Sequence, residues 1–139
     1  MKTFKLVQLF VVDYESETYE TKEIPLKDGL IINREDKENR WLVEAYVDGE
    51  YLDYFKKLRE KYNELIIHVR ITTKANEPAT CITSIIDINE IGENMNVLFL
   101  GTMVDKKTSE INELLDEMVK GGIRGEAVLE RLKAVVSSR

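Results

Sequence analysis

The chain has 139 residues, 43% of them hydrophobic and 33% charged, with only 2 prolines and 7 glycines. That is the make-up of an ordinary globular chain, and it leaves little material for long disordered linkers. The net charge of −6 lies entirely in residues 1–104, where 19 Asp and Glu meet 13 Lys and Arg; residues 105–139 carry 7 of each sign. An acidic body lacks the cationic field that nucleic acid or an anionic membrane surface requires, so neither is an expected partner.

Residues 2–14 alternate with apolar side chains on both faces: Phe4, Leu6, Phe10 and Val12 on one, Val7, Leu9 and Val11 on the other. This predicts a central or strongly curved strand covered twice. Residues 18–26 alternate weakly, and their charge and Pro25 suit an exposed edge. Asp28-Gly29 reads as a tight turn before a short buried strand, Leu30-Ile31-Ile32. The polar run from Asn33 to Arg40 reads as a solvated loop, and Trp41 to Val47 alternates again. Tyr51, Leu52, Phe55, Leu58 and Tyr62 then follow helical spacing, which predicts one helix near 50–62. Residues 64–74, 79–91 and 95–104 read as three further strands, separated by Asn76-Glu77-Pro78 and Gly92-Glu93-Asn94.

Past Asp105 the period changes. Ile111, Leu114, Leu115, Met118 and Val119 mark a helix over Thr108 to Lys120. Gly121-Gly122 supplies a left-handed stop, and Val128, Leu132, Val135 and Val136 mark a second helix. Helices this short need something to pack on.

The residues that could carry chemistry are few. His68, the single histidine, falls on a strand face with Arg70 and Thr72, which predicts a solvated or rim position. One histidine and one cysteine cannot build a multi-residue zinc site. A nucleophilic pair of Cys81 and His68 would need the fold to bring them together. Glu35, Asp36 and Glu38 lack the glycine and ligand spacing of a calcium loop. Asp13, Glu15 and Glu17 would project from one side of a strand end, where charge keeps sheets from associating. Gly121-Gly122-Ile123-Arg124-Gly125 follows a helix and lacks the Lys-Ser/Thr ending of a phosphate loop. Tyr46, Tyr51, Tyr54, Phe55 and Tyr62 cluster around the internal helix, for packing or for a partner. The lone cysteine, and the absence of a signal-length or membrane-length apolar run, make a cytoplasmic setting the expectation.

The opening MKTFKL, the segment RWLVEAYV at Arg40–Val47 and YFKKL at Tyr54–Leu58 resemble the YwpF-like family of small proteins from low-GC Gram-positive bacteria. The resemblance implies a β-barrel core with a helix pair, similar to the barrel of the tube-forming hemolysin-coregulated proteins of type VI secretion. It brings no catalytic residues, and raises self-assembly as an expectation by fold analogy alone.

The expected architecture is therefore α+β. An antiparallel barrel of about seven to eight strands over residues 1–105 carries one inserted helix, and residues 106–139 form a helical hairpin. The expected function is non-enzymatic interaction or assembly, with a protein partner or a second copy and no cofactor or metal. Ile111, Leu115, Met118, Leu132 and Val136 are the candidate packing or contact residues, with Tyr51, Tyr54 and Phe55 around the internal helix. The alternative is a small-ligand binder using the barrel or a barrel–helix cleft. A third reading is a hydrolase using Cys81 or carboxylates that the sequence does not single out.

Overall fold

A computed structural model describes residues 1–14 and 19–137. In chain order the elements are β1 (Lys2–Asp13), β2 (Glu20–Ile24), β3 (Asp28–Asn33), β4 (Arg40–Asp48), a 3-10 turn (Gly49–Tyr51), α1 (Leu52–Lys61), β5 (Leu65–Ile71), β6 (Ala79–Ile91), β7 (Asn94–Met103), α2 (Thr108–Lys120) and α3 (Glu126–Ser137). The fold is α+β. Six antiparallel strands close a barrel in the order β1, β3, β4, β7, β6, β5 and back to β1, and β2 is added beside β1. Glu15 and Glu17 lie outside the described residues.

β1 makes the closure possible because it is long enough to serve three neighbours. One of its edges pairs with β3 over Lys2–Lys5 and with β2 over Leu9–Asp13; the other pairs with β5 over Leu6–Val12. β2 and β3 are thus one line of chain, interrupted after Ile24. Pro25 has no N–H to give a ladder, and Lys27 N donates instead to Tyr46 O at 2.8 Å. Asp28-Gly29, expected as a turn, are the first residues of β3, opposite Tyr46 and Ala45. A side chain at Gly29 would stand 3.0 Å from Leu6 Cδ2 and 3.1 Å from Glu44 O, so close strand packing explains the glycine.

Strand alternation fills the interior. Leu9, Val11, Ile31, Val43, Ala45, Ile67, Val97 and Phe99 are completely buried and occupy matching register positions. A six-stranded barrel is narrow enough for side chains alone to fill it. Phe4 stacks on Trp41 with ring centroids 6.3 Å apart, while α1 presents Phe55 edge to face against Phe99 at 6.0 Å.

The outer face of β1 and β5 is also buried. Val12 and Ile66 are direct cross-strand partners, alternate with the inward residues, and have no exposed surface. α2 and α3 cover them. Ile111, Leu115, Val128 and Leu132 are fully buried and belong to the same apolar cluster as the barrel core. α2 ends as its glycines require: Gly122 is left-handed at φ 88°, Ile123 N donates to Met118 O at 3.0 Å and Gly122 N to Val119 O at 3.1 Å.

Candidate functional site

Under the first turns of α2 runs a chain of buried polar groups. Thr108 Oγ1 donates to Pro78 O at 3.0 Å and lies 2.9 Å from Thr80 Oγ1. Thr80 Oγ1 lies 2.8 Å from His68 Nδ1, and His68 Nε2 lies 3.1 Å from Asn112 Oδ1. Tyr19 completes the chain by donating to Asn112 O at 3.0 Å. His68 and Thr80 face each other across β5 and β6, while Thr108 and Asn112 are one helical turn apart, so two strands and a helix meet at one histidine.

The solvated or rim position expected for His68 is incorrect: the residue is 3% exposed. Burial pulls its pKa below the ordinary value, an effect larger than the opposing hydrogen bond to Asn112. The signal available in the sequence was Ile66, next on the same strand face; an apolar residue beside His68 indicates a covered face.

Cys81 pairs with Ile67, one register step from the His68–Thr80 pair, so alternation sends thiol and imidazole to opposite faces of the sheet. Burial pushes the Cys81 thiol up to about 12. The Cys81 and His68 pair is thereby excluded, and among the described residues neither side chain has a further acid or base beside it that would activate the thiol.

Of the aromatic residues, Tyr51, Tyr54 and Phe55 pack together, with Lys22 Nζ over the Tyr54 ring at 4.6 Å. Tyr62 packs on Tyr14 instead and donates to Asp13 Oδ1 at 2.8 Å; Lys61 also pairs with Asp13. Tyr46 points away from the helix, on the outer face of β4, and accepts from Asn94 Nδ2 at 2.9 Å. Of the expected contact residues, Ile111, Leu115, Met118 and Leu132 are buried in the chain's own core and Val136 is half-buried against it.

What remains on offer is an edge. β5 pairs with β6 only as far as Thr83, so residues 84–91 have a ladder partner on the β7 side alone, with Ser84 Oγ donating to Asn63 O and α1 packed against the strand. A bulge between Ile85 and Asp87 turns Ile86 outward at 52% exposure, and Ile91 is 45% exposed. Apart from Met1, these are the exposed large hydrophobics among the described residues. Between Lys74 and Lys106 the chain has no basic residue but has Glu77, Asp87, Glu90, Glu93 and Asp105. Ile91 also borders a groove of about 250 Å³ on the outer face of β3, β4 and β7, lined by Asp28, Leu30, Glu44, Tyr46 and Asn96.

A family model described as YwpF-like protein matches residues 2–135. The chain belongs to the YwpF-like family. A relative from Bacillus subtilis (strain 168), named "Uncharacterized protein YwpF", is 41% identical over 133 residues, 96% of this chain and 98% of that protein. A crystal structure of a hypothetical protein from Staphylococcus aureus is similar with a TM-score of 0.70 and 27% identity, covering 100% of this chain and 96% of that one. Among the described residues of this YwpF-like chain, no group of three or more His, Cys, Asp or Glu is placed to hold a metal ion, and no helix is long and apolar enough to cross a membrane.

Proposed function

We propose that this YwpF-like protein is a non-enzymatic interaction protein, and that it receives an extended segment of another protein along the free side of β6. What supports it is the stretch 84–91, which has a ladder partner on one side alone, with Ile86 and Ile91 exposed on it. An open strand edge offers backbone donors and acceptors, and alternating apolar side chains give such an addition its grip. By contrast, the free edge of β2 is only five residues long and reads Glu-Thr-Lys-Glu-Ile, with its single apolar residue, Ile24, buried.

The chemistry of the edge selects the occupant. Two copies of this edge would bring Asp87, Glu90 and Glu93 of each together with no basic residue between Lys74 and Lys106 to offset them, and like charges across neighbouring strands are destabilising. Asp87 and Ile91 lie on one face of β6 and Glu90 on the other, so a basic, partly apolar segment added to the edge meets acidic groups on both faces and apolar surface at Ile86 and Ile91. Self-assembly by analogy with tube-forming barrels is therefore the less favoured form of association.

The alternative, a small-ligand binder, draws support only from the open groove beside Ile91, since the barrel interior is filled by its own side chains. The test is amide chemical-shift mapping of the full chain with a synthetic peptide alternating lysine and valine. Shifts centred on 84–91, weakened by salt and by the paired change Asp87→Lys and Glu90→Lys, are expected. An equal response to a glutamate–valine peptide, or no response on 84–91, would overturn it.

A further inference from the structure

The polar chain beneath α2 has four internal contacts: Pro78 O with Thr108, Thr108 with Thr80, Thr80 with His68 Nδ1, and His68 Nε2 with the Asn112 amide. Each contact needs one proton between its two heavy atoms. Thr108 and Thr80 supply one each, and neutral imidazole supplies one. With the Asn112 oxygen turned to Nε2, three protons serve four contacts, and two oxygens or an oxygen and a bare nitrogen are left facing each other in a buried site.

Two arrangements complete the chain. In one, His68 is neutral with its proton on Nδ1, and Asn112 turns its NH2 to donate to Nε2. In the other, His68 is the imidazolium and Asn112 presents its oxygen. In both, direction is fixed from the far end: Pro78 O can only accept, so Thr108 donates to it, Thr80 donates to Thr108, and Nδ1–H donates to Thr80. Nε2 alone is free to change, and its partner is the one group in the chain that can reverse by rotating an amide.

We propose that His68, Thr80, Thr108 and Asn112 form a proton-coupled latch between the barrel and α2, in which proton uptake at His68 Nε2 turns the Asn112 amide over and loosens the helix. Loosening follows because the imidazolium is enclosed with no counter-charge among the described residues. Facing His68 from β1 is Phe10, from β6 Thr80, and from α2 Thr108 and Asn112, all uncharged. Lys107, Glu110 and Glu113 are exposed to solvent, and other groups farther out have their own partners. Tyr19 donates to Asn112 O, Arg70 to Lys74 O and Asn76 O, Lys120 pairs with Asp116, and on α3 Lys133 pairs with Glu64. Burial accordingly holds His68 in its neutral form, and a proton binds more readily once α2 lifts. Acid thus favours the state in which the α2 face bearing Ile111, Leu115 and Met118 is released.

The chain has one histidine, so long-range nitrogen–proton NMR of the full-length protein reads this site without assignment ambiguity. In mildly alkaline solution the expected tautomer carries its proton on Nδ1, and the titration midpoint falls below the ordinary 6.5. The side-chain NH2 of Asn112 shifts with the same midpoint. Asn112→Asp, whose carboxylate can only accept, raises the midpoint above that of the parent. Amide exchange across α2, corrected for intrinsic rates, accelerates on acidification in the parent and not in His68→Gln. An Nε2–H tautomer, an Asn112 amide indifferent to the titration, or α2 exchange that accelerates equally in His68→Gln would overturn the latch. The tautomer and the amide response are read on the unaltered protein, so the outcome does not depend on either variant folding.

Discussion

Phe55 meets Phe99 edge to face, with centroids 6.0 Å apart and planes at 75°, and both rings are completely buried. The contact fixes α1 to the inward face of β7 and closes the core at that end, where a shorter side chain would leave a void. Phe55→Ala is expected to destabilise the protein by about 3–5 kcal/mol, the usual cost of emptying a buried aromatic site. Tyr51→Ala, at a half-buried position on the rim of the same cluster, should cost less. Urea unfolding midpoints of the two variants check the order.

α3 is held by apolar burial more than by charge. Leu132 is fully buried in the common core, whereas Lys133 and Glu64 form an ion pair in which both side chains are about two-fifths exposed. Leu132→Ala should therefore cost about 2–5 kcal/mol and Lys133→Ala at most about 1 kcal/mol. Equal losses in the two variants would show that the ion pair carries the docking.

Gly101 marks a point where β7 approaches β6 too closely for any side chain. A Cβ there would stand 2.0 Å from Ile82 O and 2.6 Å from Thr83 Cα, both backbone atoms that cannot rotate away. Gly101→Ala should cost about 1–3 kcal/mol or more through strand displacement. Gly92→Ala has open space around it and is penalised only by the left-handed backbone, φ 61°. Comparing the two by thermal unfolding separates close packing from conformational strain.

Much of this architecture is legible in the residues themselves. α2 occupies the predicted span Thr108–Lys120, because an apolar stripe, a polar opposite face and a glycine stop all agree. β1 is covered on both faces, as its two apolar rows require. Barrel closure is less accessible, since the pairing of β1 with β5 joins residues some sixty positions apart and leaves no local trace. Asp28-Gly29 carries a turn signature but meets a close neighbour strand instead. His68 misleads because Arg70 and Thr72 lie on one side of it, while the helix that covers it arrives forty residues later. The free length of β6 is likewise a property of β5 ending early, which only the assembled sheet displays.

Cys81 should be inert in the folded protein. Its burial and a pKa pushed up to about 12 leave almost no thiolate at neutral pH. A colourless disulfide reagent that releases a chromophore on thiol attack is expected to find no reactive thiol under native conditions and one after denaturation. Rapid native labelling would restore the hydrolase reading of this residue.

Stability should fall at both ends of the pH scale for two identifiable reasons. His68 has a folded pKa below the ordinary 6.5, so its contribution is complete above that value and declines as pH drops below it, where the unfolded chain takes up the proton first. Tyr54 is raised from 10.0 to about 12, by burial first and by Asp13 and Tyr51 next, so its contribution is complete below 10.0 and is lost as pH rises towards about 12. Urea midpoints across pH should lose part of the acid slope in His68→Gln and part of the alkaline slope in Tyr54→Phe. Slopes unchanged by both substitutions would assign the pH dependence to other groups.

On the proposed reading the helix pair belongs to its own barrel and the open edge of β6 awaits a different chain. Light scattering on a sizing column tests it most directly, using the full chain and Ile86→Lys over a wide concentration range. A monomer of 16.1 kDa is expected for both. A concentration-dependent dimer that Ile86→Lys abolishes would contradict it, by placing a second copy on the edge reserved here for a basic partner.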